Sequence, residues 1–154
     1  MTRKDFDEIF SSNINNKTQS EDSEVLEIYS HILQTENLED YWWEYHGANH
    51  LMSMIEKFSE NIFDKLRQDI PNWTGYQIEL FAQTLVSSDL RDYKINERIE
   101  LYLYLFEIPK FECDLYNIFY DRAYMNLELA DKTLLLRLAE KLNYKSVDHL
   151  LTDV

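Results

Sequence analysis

Two glycines and two prolines are the only backbone punctuation in 154 residues. Sheets depend on tight turns, and tight hairpins favour glycine, above all in Asn-Gly and Asp-Gly pairs. Neither pair occurs. Apolar residues instead recur at the three- and four-residue spacing of an amphipathic helix. The chain is therefore expected to be all-α, a compact bundle or a HEAT-like stack of about eight antiparallel helices. No period of about 34 or 40 residues is visible, so bundle and stack both stay open.

The pattern places the helices one by one. Phe6, Ile9 and Phe10 suggest a short first helix. Residues 11–24, SSNINNKTQSEDSE, are polar and read as a linker or mobile loop within a single 1–154 domain. Val25, Ile28, Tyr29 and Ile32 mark a second helix, started by Ser20 or Ser23. Asn37 is the expected N-cap of a third, whose stripe runs Leu38, Tyr41, Tyr45, Ala48, Met52, Ile55. Gly47 sits inside that stripe and costs about 1 kcal/mol relative to alanine, so a kink or break is expected there. Ser59 is placed to cap Ile62, Phe63, Leu66 and Ile70, with Pro71 as the stop. Thr74 is placed to cap Ile78, Phe81, Ala82 and Leu85. The alternation in LYLYLF (101–106) is strand-like, but the stripe from Ile95 to Phe106 favours a helix. Asp131 and Ser146 are placed to cap the last two segments.

Charge narrows the function. There are 29 acids against 15 bases, a net of −14, while a hydrophobic fraction of 45% still permits a substantial core. Residues 1–50 hold eleven acids and three bases. Such a field repels phosphates and anionic lipid, so neither nucleic acid nor membrane is an expected partner. It attracts a basic protein and speeds its association. The single cysteine, Cys113, excludes an intrachain disulfide and fits a reducing, cytoplasmic setting. No run of about 18 apolar residues could span a bilayer, and MTRKDFDEIF does not read as a secretory signal.

Candidate chemistry is thin. His46 and His50 stand four apart, the spacing with which zinc enzymes place two imidazoles on one helical face. The glutamate that would follow the first histidine is replaced by Gly47, and a third ligand would have to come from elsewhere, Glu44 or His31. Neighbouring carboxylates such as Glu39 and Asp40, or Asp89 and Asp92, are expected by chance among 29 acids. Cys113 has no thiolate-activating neighbours in FECDLY. Glycine-rich phosphate loops need more than Gly47 and Gly75. The expectation is a binding protein with no catalytic residue, no metal and no cofactor.

The aromatics point to where binding occurs. In YWWEYHGANH (41–50), Trp42 is expected to pack inward and Trp43 to face out with His46 and His50. Exposed aromatic residues rimmed by one sign of charge are ingredients of a protein-binding hot spot. The candidate partner-binding residues are Glu36, Glu39, Asp40, Trp43, Glu44, Tyr45 and His46. A second acidic-aromatic turn, SSDLRDY, adds Asp89, Asp92 and Tyr93.

Within residues 73–142, WTGYQIELFAQTLVSSD, RIELYLYLFEI and LYNIFYDRAY give a Trp-led helix, an acidic turn, a long apolar helix and a Tyr-rich helix. This order resembles the HEAT-like helical immunity proteins of bacterial polymorphic-toxin and contact-dependent growth-inhibition systems. The resemblance implies a toxin inhibitor whose carboxylates occlude the basic active or substrate-binding surface of a cognate toxin, expected to be a nuclease. The alternatives are an intracellular adaptor or regulatory scaffold that holds a peptide or helix in a groove, and a nucleic-acid mimic.

Overall fold

The computed structural model describes residues 1–44, 46–87, 89–111, 113–122 and 125–153. Among them the regular structure is helical, with no strand. The α-helices run in order α1 Arg3–Phe10, α2 Ser23–Thr35, α3 Glu39–Trp43, α4 His46–Ile55, α5 Ile62–Asp69, α6 Gly75–Val86, α7 Ile95–Leu105, α8 Leu115–Ile118, α9 Lys132–Lys141 and α10 Val147–Thr152. Three short 3-10 turns lie between them. LYLYLF falls in and just after α7, so its alternation is helical after all.

Helix starts follow side-chain capping where a short polar group precedes an apolar stripe. Thr74 and Gln77 form a reciprocal capping box on α6, as do Thr2 and Asp5 on α1. Asp131 caps α9 and Ser146 caps α10. Three expected caps are corrected. Asp22, not Ser20 or Ser23, caps α2, accepting from the N–H groups of Glu24 and Val25. Leu38, not Asn37, precedes α3 and makes no side-chain cap. Ser59 does not cap α5; its N–H and hydroxyl both bond to the Glu24 carboxylate, which pins α2 to the turn before α5.

α6 is the central element. It buries Ile78, Leu80, Phe81, Ala82 and Leu85 and packs against α4, α7 and α8. Outward from it, α4 meets α2 and α2 meets α1, while on the other side α7 meets α9 and α9 meets α10. α5 bridges α2 and α7. One apolar cluster runs through all of these, from Phe6 to Leu150. Each fully buried large side chain contributes roughly 1.5–3 kcal/mol relative to exposure.

The polar segment expected to be a linker is tied down instead. Thr18 is buried and its hydroxyl bonds to the carboxylate of Asp69 at the end of α5. The Gln19 N–H, the Asn72 amide and the Trp73 indole N–H donate to the same carboxylate at 2.9, 3.2 and 2.7 Å. Upstream, the Lys17 N–H donates to the Tyr29 hydroxyl at 2.8 Å, and the Asn15 carbonyl accepts from the Gln77 amide at 2.9 Å. A polar sequence can be rigid when its backbone groups find buried partners, and composition does not reveal those partners.

Candidate functional site

The segment 36–50 leaves α2, forms the five-residue α3 and enters α4, with three contacts fixing it. The Trp42 indole is 1% exposed and lies over Gly47. A Cβ on Gly47 would fall 2.6 Å from Trp42 Cδ2. The indole N–H also donates to the Thr35 carbonyl at 3.1 Å. Gly47 is therefore required for close approach. The break expected at Gly47 falls earlier, since α3 ends at Trp43 and Gly47 lies inside α4. The third contact is polar: the Tyr41 hydroxyl lies 3.0 Å from His31 Nε2 and 2.8 Å from His50 Nδ1.

Trp42 in and Trp43 out is the arrangement found. Trp43 is 77% exposed. Glu39, Asp40, Glu44 and His46 are exposed along with it, so the turn carries three carboxylates around one indole. Glu44 and His46 approach to 3.9 Å, both largely solvated, and such a pair contributes little. Leu38, expected in the apolar stripe, is 53% exposed beside them. Tyr45 lies outside the described residues.

Glu36 is corrected. It is buried, and its carboxylate accepts from the amides of Asn15 and Gln77 at 3.3 and 3.2 Å. Burial pushes its pKa up despite those two bonds. It joins α2 to the N-terminal segment and α6 and has no face for a partner.

The second stretch is built by a buried cation. Arg98 on α7 is fully buried, and its guanidinium donates to the carbonyls of Leu85, Leu90 and Tyr93 at 2.9, 2.9 and 3.2 Å. Burial pulls its pKa down to about 10, while the charge of Asp92 acts in the opposite direction. Through Nε and Nη1 the guanidinium fixes the loop between α6 and α7. Asp89 and Asp92 are exposed on that loop. Asp89 makes a two-way bond with Asn49 of α4, its N–H donating at 3.0 Å and its carboxylate accepting at 2.9 Å. The two predicted stretches thus meet at α4, one helical turn from His46. Tyr93 is half-buried against the core, with the Lys94 ammonium 5.9 Å from its ring centre.

His46 and His50 do not form a pair. His46 turns to Glu44, and His50 turns to Tyr41 and His31. Among the described residues no group of three or more His, Cys, Asp or Glu side chains is placed to hold a metal ion. No described helix is long and apolar enough to cross a membrane.

Tyr76, at the start of α6, was not singled out by sequence. It is half-buried, and burial together with the charges of Glu39, Glu79 and Glu36 raises its pKa. Tyr76 on α6 thus feels the charge of Glu39 on α3. The signal is tertiary, because residues 39 and 76 belong to different elements. Comparison with family models, curated proteins and solved structures finds no match to this chain.

Proposed function

We propose that this chain is an immunity-type inhibitor that binds a basic protein toxin, a nuclease being the expected kind, and covers its active or substrate-binding surface. The observation that carries the reading is Trp43, 77% exposed on a short helix that also presents Glu39 and Asp40, with Glu44 exposed at its C-terminal end. An indole held in water costs solvation free energy that a partner's surface recovers, and such aromatic residues are common anchors of interfaces. The surrounding carboxylates steer a cationic surface toward it and stand where substrate phosphates would stand. The net charge of −14 extends that attraction beyond the contact itself.

The test expresses the product of the adjacent gene, checks it for toxicity, and measures its binding to the wild type and to Glu39→Lys/Asp40→Lys/Glu44→Lys. Affinity should fall at least about tenfold with unchanged helical circular dichroism, and the wild-type on-rate should drop steeply as salt rises. Unchanged affinity would move the interface off α3. Salt-insensitive, micromolar binding to many peptides would replace inhibition with the adaptor reading.

A further inference from the structure

The strongest unassigned feature is the junction of α2, α3 and α4. We infer that His31 Nε2, His50 Nδ1 and Tyr41 Oη form a binding site for a tetragonal transition-metal ion, Cu²⁺ above all, with Ni²⁺ and Zn²⁺ weaker. Each helix supplies one donor, and both imidazole nitrogens converge on the same phenol oxygen at 3.0 and 2.8 Å. Ligands about 2.0 Å from a common metal and at right angles to one another are roughly 2.8–2.9 Å apart. The two nitrogen–oxygen separations match that edge. The ring centroids of His31 and His50 are 4.6 Å apart at 63°, compatible with two imidazoles sharing one ion at bond lengths of about 2.0–2.1 Å. His50 and the Tyr41 edge reach solvent, so water can complete the coordination.

Binding a divalent ion as the phenolate releases the Tyr41 hydroxyl proton to solvent and forms one metal–oxygen and two metal–nitrogen bonds, with no change of oxidation state. Imidazole and oxygen donors in tetragonal array favour Cu²⁺ over Ni²⁺ and Zn²⁺. The sequence paired His50 with His46 and offered Glu44 or His31 as a third ligand; in the fold His31, nineteen positions upstream, stands with His50, and Tyr41 takes the place of His46.

The test titrates Cu²⁺ alone into the purified protein and follows heat and the visible spectrum. One ion should bind per chain, with a phenolate-to-copper charge-transfer band. His50→Ala, at an exposed position, should weaken binding at least about tenfold, and Tyr41→Phe should abolish the band while leaving weaker two-histidine binding. His46→Ala should change neither. Loss of binding on His46→Ala, or full-strength binding in His50→Ala, overturns the assignment. His31→Ala should match His50→Ala; if it fails to fold, the His50 and Tyr41 variants decide.

Discussion

Gly47→Ala tests the packing that holds α3 in place. In an ordinary helix interior this exchange stabilises by about 1 kcal/mol, because alanine loses less backbone entropy. Here the new Cβ would stand 2.6, 2.7 and 2.9 Å from three atoms of the Trp42 ring, well inside contact distance. Trp42 is 1% exposed, so the indole has no solvent to retreat into. Overpacking of this kind costs about 1–3 kcal/mol. A displaced ring also strains the indole N–H bond to the Thr35 carbonyl, which contributes about 1 kcal/mol. The propensity gain offsets part of this, leaving a net loss of about 1–3 kcal/mol. At roughly 2–4 °C per kcal/mol for a chain of this length, Tm falls by several degrees. Urea and thermal unfolding followed by far-ultraviolet circular dichroism measure it without relying on tryptophan emission. A second arm isolates the cause: in a Trp42→Ala background the clash is gone, and Gly47→Ala should become stabilising by up to about 1 kcal/mol. A Gly47→Ala single variant as stable as the wild type, or the same sign in both backgrounds, would refute the close-approach argument.

Two further outcomes follow from the same segment. Trp42→Ala should lower stability by about 3–5 kcal/mol, whereas Trp43→Ala should stay within about 0.5 kcal/mol of wild type in denaturant unfolding and lose partner binding instead. Glu36 has a folded pKa raised above its ordinary 4.5, so its contribution to stability is present below that value and is lost as pH rises through the folded pKa. The stability of Glu36→Gln relative to wild type should therefore rise with pH above 4.5, and a flat or falling difference between the two unfolding curves would count against the buried carboxylate.

Much of the architecture was legible because it depends on local rules. Period-3.6 stripes placed the stretches that became α1, α2, α5, α6 and α7, and the caps at Thr74, Asp131 and Ser146 follow from residues within three positions of one another. The opposite facing of Trp42 and Trp43 was legible for the same reason, since adjacent residues on a helix differ by about 100°. Positions that depended on a distant partner were misread. The segment after α1 looked mobile because Asp69, fifty-one positions beyond Thr18, is invisible to any window. Glu36 looked like surface charge because Asn15 and Gln77 lie 21 and 41 positions away.

The sequence by itself determined the helical class, a single cysteine that has no intrachain partner for a disulfide, and a net charge of −14. These are properties of composition and of short-range geometry. The tertiary structure decided which acids are exposed, which indole sits on glycine and which histidine meets which. Those outcomes depend on where three helices cross, and crossing is settled by packing among residues far apart in the chain. Gly47 belongs to both levels. In the sequence it is a weak point in a helix; in the fold it is the gap that admits Trp42 and leaves Trp43 in solvent.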